Sequence, residues 1–260
     1  MADRYELFLN SLNIVLSIEE PVLLHFFISK FMPITDVTSQ QTQQQLQQLQ
    51  PGANTTTGPQ TEFMLAGLRI AILAADGFEQ VELTEPKKAL EEAGAVTRLI
   101  SIGKAPIRGL HHDQPGDMFD VDATFETVHA DEFDAVLLPG GEASSRLLAQ
   151  QPAAQKLVQS IDKEGKPLAV ICHEPLLLVA SGLVQGKKMS SAPNVRSAIE
   201  NAGGHWQDAA AVVDGNWVSS RTPADIPAFI EAFKKLLAIR TRESVKGTPD
   251  DMVAAAGTGG

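Results

Sequence analysis

The sequence predicts an α/β protein: an open, doubly wound parallel sheet covered by helices on both faces, closed by a C-terminal β-hairpin. Three features carry that expectation. Strand-like and helix-like periodicities alternate through the middle of the chain. Several of the strand-like runs are apolar at nearly every residue, the pattern of strands buried on both sides. Those runs end at glycines or at a cysteine, where a strand gives way to a turn and then a helix.

Leu68 to Ala74 is apolar except for Arg69 and makes the first buried strand. A helix follows at Glu85 to Ala93, with Thr84 as N-cap, Pro86 in its first turn and Gly94 just past its end. Val96 to Ile102 is the next strand. Asp134 to Leu138 is a strand that ends in Pro139-Gly140-Gly141, and Ser144 to Lys163 has helical spacing. Pro167 to Ile171 delivers Cys172 at a strand-to-helix corner. Ala209 to Ser220 sets two β-rich runs around Asp214-Gly215, hence the hairpin, and an amphipathic helix runs from about Pro223 to Ala238.

The chain has 260 residues, enough for one substantial core with extensions. Residues 1–38 form a hydrophobic, helix-prone extension. Glu19, Glu20 and Pro21 interrupt it, so no run of about 18 apolar residues remains and no membrane span is expected. Nor does it carry the basic start and small-residue cleavage site of a signal peptide. Residues 39–65 are rich in Gln, then Thr, Gly and Pro, and read as a flexible linker; residues 66–240 form the domain, and 241–260 a disordered tail. A single cysteine allows no internal disulfide, which fits a reducing, cytoplasmic setting. The net charge of -11 argues against a nucleic-acid partner. No cofactor and no metal site is expected.

In open α/β sheets the working crevice lies at the carboxyl ends of the strands. Cys172 follows such an end, where the nearby helix N-terminus favours thiolate over thiol; the alternative is an inert, buried cysteine. Gly140 and Gly141 end a second strand with N–H groups that could stabilise a developing oxyanion. Glu79 and Glu82, after Asp76-Gly77, follow a third. Each feature alone is weak, but the three strand ends together specify a nucleophilic site.

The segments GLRIAILAADGFEQVELTEPKKALEEAGA, FDAVLLPGG, KPLAVICHEP and VVDGNWVSSRTPADIPAF resemble the PfpI-type intracellular proteases, in the superfamily of the parkinsonism-associated protein deglycase. The resemblance runs from about Gly67 to Leu237. It implies a flavodoxin-like fold with a nucleophile corner, assembly into dimers or hexamers, and peptidase, deglycation or methylglyoxal-converting activity in stress protection. It also implies Cys172 as nucleophile, His173 as its neighbour, Glu82 against the sulfur with Glu79 nearby, and Gly140 and Gly141 as oxyanion donors. The resemblance also implies that the loop carrying His111, His112 and Asp113 borders the pocket; as adjacent residues they make a poor metal trio.

Two departures from the family pattern stand out. The acidic residue expected four or five positions after the glycines, which orients a catalytic histidine, is replaced by Ser145 or Arg146; Glu142 directly after the glycines is the nearest acid. Glu174 stands where the family has glycine. In the first turn of a helix it would act as a cap, raise the thiol pKa if turned to the crevice, or help His173 as the missing acid. The first two roles are expected over the third, since adjacent helix residues do not face each other.

The expected function is thus a cysteine hydrolase or deglycase acting on small carbonyl compounds or peptides. A non-catalytic stress or interaction protein with an oxidation-sensing thiol is the alternative. A glutaminase would need a late His-x-Glu pair, and the chain offers only His205-Trp206-Gln207. Because the Gln-rich segment cannot offset its ordering entropy by burial, a chain beginning at Met64 is expected to fold and assemble like the full one. Size-exclusion chromatography checks this, and loss of solubility or of the oligomer would give residues 1–38 a structural role.

Overall fold

The fold is built outward from β1, Arg69–Leu73, whose pleat sends Ile70 and Ile72 to one side and Ala71 and Leu73 to the other. All four are fully buried. A strand covered on both faces must be apolar on both, which is why the run lacks the polar alternation of a half-exposed strand. β7, Ala135–Leu138, and β8, Leu168–Ile171, are buried throughout for the same reason. The structure, a computed structural model, describes residues 65–246. The N-terminal extension, the linker up to Met64 and the tail from residue 247 lie outside the described residues.

The main sheet has seven strands. One edge is the hairpin of β11, Val212–Asp214, and β12, Trp217–Ser220; the order then runs β12, β8, β7, β1, β3 (Val96–Ser101) and β6 (Ala123–Thr124). Every pairing is parallel except that of β11 with β12. One face is covered by α1, Gln80–Glu92, through Leu83 and Leu90, and by α6, Ile226–Lys246, through Phe229, Phe233 and Leu237. The other is covered by α2, Glu142–Ala149, α3, Pro152–Lys163, α4, Pro175–Ala180, and α5, Arg196–Asn201. Leu148, Leu157, Ile161, Leu177 and Ile199 supply its core. A small second sheet joins β2, Phe78–Glu79, to the β4–β5 hairpin, Ile107–His111 and Gln114–Phe119, beside the carboxyl end of β1. No helix among the described residues is long and apolar enough to cross a membrane.

Five boundaries differ from the sequence expectation. The first helix starts at Gln80 rather than Glu85, so Thr84 is not a cap and Pro86 sits inside the helix. The buried stripe of Gln80, Glu82, Leu83, Pro86 and Leu90 decides this, overriding the usual preference of proline for a first turn. The helical stretch 144–163 breaks into α2 and α3 around Gln150 and Gln151, because Pro152 has no N–H to continue a helix and instead begins one. Pro223–Asp225 forms a 3-10 turn before α6, and α6 continues to Lys246, into the expected tail. Leu65, counted with the linker above, is fully buried, and its N–H donates to the Ala93 carbonyl at 2.9 Å.

Phe229 joins α6 to the sheet and has no exposed surface. Truncation to alanine in Phe229→Ala is expected to cost about 3–5 kcal/mol through lost transfer energy and a residual cavity. Urea denaturation measures this as a lower midpoint with an unchanged slope.

Candidate active site

β1, β7 and β8 are parallel neighbours, so their carboxyl ends lie side by side on one edge of the sheet. The segments leaving them enclose a crevice of about 590 Å³ lined by Glu79, Glu82, His112, Glu142, Arg146, Cys172 and His173, among others. Hydrogen bonds tie these segments together. Glu79 N–H donates to the Gly140 carbonyl at 3.0 Å, and Ala75 N–H to Ser144 Oγ at 2.9 Å.

Cys172 turns the chain with φ 62°, in the left-handed region that costs energy for any residue with a Cβ. Its backbone is fixed on both sides: its N–H donates to the Ser220 carbonyl at 3.1 Å and its carbonyl accepts from Ala192 N–H at 2.9 Å. The glycines facing it are required by space. A Cβ at Gly140 would stand 2.7 Å from the Cys172 Cβ and 2.7 Å from Glu82 Oε2. Gly141 has φ 109°, and a Cβ there would stand 2.6 Å from Glu79 N and Phe78 Cα.

The sulfur lies 3.1 Å from His173 Nδ1, and the other ring nitrogen, Nε2, is 2.9 Å from Asn194 Nδ2. Glu82 is fully buried beside the thiol and accepts a hydrogen bond from Gly140 N–H at 2.8 Å. Burial pushes its pKa up to about 8, against the pull of that N–H, and the Glu79 charge adds to the rise. Burial pushes His173 below its ordinary value; the Glu142 charge opposes this and Arg146 reinforces it.

Two expectations are corrected here. The helix N-terminus was expected to favour thiolate, but burial, and then the charge and hydrogen bond of Glu82, push the Cys172 thiol well above its ordinary value. The backbone N–H groups of His173 and Gly141 pull it back only in part. Gly140, expected as an oxyanion donor, has its N–H committed to Glu82; Gly141 N–H faces the sulfur.

Glu174 fulfils none of its three expected roles. It is the residue before α4, makes no side-chain cap bond, and points inward with no exposed surface. Ser145, also fully buried, donates to its Oε2 at 2.6 Å, and Oε1 has no partner. Burial holds this carboxyl well above the ordinary range, favouring its protonated form, and it lies outside the crevice lining rather than beside the thiol. The change at one departure is thus bonded to the change at the other.

Glu79 lines the crevice and accepts from His112 N–H at 3.0 Å, the His112 ring Nδ1 being 3.7 Å from the same oxygen. His112, with φ 57°, and Asp113 line the crevice, whereas His111 is exposed outside its lining. Among the described residues no three His, Cys, Asp or Glu side chains group to hold a metal ion. Glu142 pairs with Arg146 at 2.7 Å. His205, the late histidine, is exposed on β10, His205–Trp206, and takes no part in the crevice. Asn194 was not foreseen, because it lies 21 residues after His173 in a stretch with no motif of its own.

Glu82 and Glu174 bind protons more tightly in the folded chain than in the unfolded one, where a glutamate titrates at about 4.3. Their contribution to stability is complete below that value and is lost as pH rises, for Glu82 through about 8. Glu174→Gln keeps the shape of the protonated acid, and is expected to reduce the fall in stability above about pH 4.3 that these shifts predict for the wild type. Denaturation midpoints at pH 5 and pH 8 measure this, and an unaltered difference between them would show Glu174 ionised in the fold.

Comparison with known proteins agrees with this architecture. The family model described as DJ-1/PfpI matches residues 68–236. A deglycase of Pyrococcus abyssi is 43% identical over 170 residues, covering 65% of this chain and 99% of its own. A putative cysteine protease of Bacillus subtilis is 37% identical over 163 residues, covering 62% and 93%. Among solved structures, a two-domain protein of Anabaena variabilis with DJ-1/ThiJ/PfpI-like and ferritin-like domains superposes with TM-score 0.62 at 30% identity over 65% of this chain. The match spans about half of that longer chain, 48%. Drosophila melanogaster DJ-1beta superposes with TM-score 0.59 at 26% identity, covering 69% of this chain and 96% of its own. With a family match over most of the described domain, and a half-buried cysteine at a strand-to-helix corner, the chain belongs to the DJ-1/PfpI family.

Proposed function

We propose that the protein is a cysteine-dependent hydrolase or deglycase that attacks the carbonyl carbon of small carbonyl compounds or peptides through Cys172. One observation carries this: a thiol held at a strained corner and open to a crevice, with a neutral carboxyl, an imidazole and two backbone N–H groups around it. An inert packing cysteine needs none of these. Relatives named as deglycases and as a putative cysteine protease support the same class of reaction. We propose further that it works as a homo-oligomer, dimer or hexamer, in the cytoplasm, as the sequence motifs imply.

Glu82 and Cys172 titrate as a coupled pair. At neutral pH both hold their protons. Loss of one leaves a single negative charge shared between oxygen and sulfur, and the N–H groups of Gly141 and His173 draw it toward sulfur. When the sulfur bonds to a carbonyl carbon, the π pair moves to the carbonyl oxygen, which takes the proton held by Glu82. The product is a hemithioacetal from an aldehyde. From an amide, the tetrahedral adduct expels the amine with that proton and leaves a thioester, which water hydrolyses.

Turnover of methylglyoxal, glycated amines or casein-derived peptides is expected from the purified protein, falling to background in Cys172→Ala. Alkylation of Cys172 by iodoacetamide is expected to accelerate as pH rises through about 8. Glu82→Gln removes the competing charge, so its thiol ionises at lower pH and the step near that value disappears. Labelling only after denaturation would make Cys172 a packing residue and end the catalytic reading.

A further inference from the structure

Among the described residues His173 has no carboxylate hydrogen-bond partner. Glu174 is bonded to Ser145 and buried away from the crevice, and Glu142 is paired with Arg146. Its two ring nitrogens are instead occupied by Cys172 Sγ at 3.1 Å and Asn194 Nδ2 at 2.9 Å. Imidazole nitrogens are not interchangeable: a ring that accepts at one nitrogen carries its proton on the other.

We propose that Asn194 is the positioning residue for His173, donating from Nδ2 to Nε2 and so placing the ring proton on Nδ1, where it faces the sulfur. The backbone around Asn194 suits that task. Pro193–Val195 forms a 3-10 turn with Val195 buried in the core, and Ala192 just before it is bonded to the Cys172 carbonyl at 2.9 Å. The backbone of the turn is therefore set directly on the nucleophile corner. With the proton on Nδ1, His173 acts as a donor to sulfur. It joins the backbone N–H groups of Gly141 and His173 in drawing the shared charge of the Glu82–Cys172 pair onto sulfur instead of onto the carboxylate. Turning the amide over would present its oxygen to Nε2, reverse the tautomer and make His173 a base; the two arrangements are distinct in what they predict.

This role rests on the reading of Cys172 as a nucleophile, and its test needs no substrate. The ring nitrogens of His173 can be observed by 15N NMR of the full-length protein and assigned by difference from His173→Gln. The expected spectrum at pH 7.5 has Nδ1 protonated and Nε2 bare. Asn194→Asp, whose carboxylate accepts only, is expected to move the proton to Nε2 or protonate the ring. Asn194→Ala is expected to lose the fixed tautomer and to slow iodoacetamide alkylation of Cys172 at pH 8 about five- to tenfold, the scale of one net hydrogen bond, without a change in melting temperature. A wild-type spectrum with Nε2 protonated, or tautomer and alkylation rate unchanged in Asn194→Ala, would overturn the assignment. Failure to turn over any carbonyl compound or peptide, with these responses intact, would sink the proposed reaction and leave the role of Asn194 standing.

Discussion

The peptide at Cys172 is left-handed, at φ 62°, and the site is arranged to hold it there. A non-glycine residue in that conformation costs roughly 1–3 kcal/mol and persists only where its surroundings over-determine it. Here β12 takes the N–H, the segment before Asn194 takes the carbonyl, and the packed strand Leu168–Ile171 fixes the approach. The strain lifts the side chain out of the sheet, while the space it occupies is vacated by the missing Cβ atoms of Gly140 and Gly141. Backbone conformation and glycine placement are thus two halves of one constraint.

The electrostatics follow from how deep that corner lies. A thiol and a carboxyl brought together away from water cannot both ionise, so the pair keeps protons that free groups would lose. The helix that follows the corner has only six residues, Pro175–Ala180, and its N-terminal field is outweighed by desolvation and by Glu82. The buried Glu174 belongs to the same economy of charge. Burial favours its protonated form, and it is shielded from the crevice and bonded to the serine that replaces the acid expected after the glycines.

The fold was legible because strands buried on both faces leave a signal that survives without context: RIAIL, AVLL and LAVI are apolar at nearly every position. Helix boundaries were less so, since Pro86 and Pro152 mark different positions in their helices and only packing tells them apart. At the site, Cys172, His173, Glu82 and the paired glycines were visible as strand-end residues. What sequence could not supply was direction. That Gly140 N–H turns to Glu82, that Glu174 turns inward, and that Asn194 reaches His173 all depend on contacts between residues 21 to 58 positions apart.

The double anchoring of Cys172 has a consequence for how the protein fails. Its N–H is held by the Ser220 carbonyl at the end of a fully buried strand, and the Ala192 N–H by the Cys172 carbonyl itself. The Cys172 amide cannot meet solvent by fraying of a loop. It should exchange its hydrogen only in openings that separate β8 from β12. The nucleophile's geometry then has the lifetime of the sheet: heat or denaturant does not wear the site down in advance of the fold, and the two disappear in a single cooperative event.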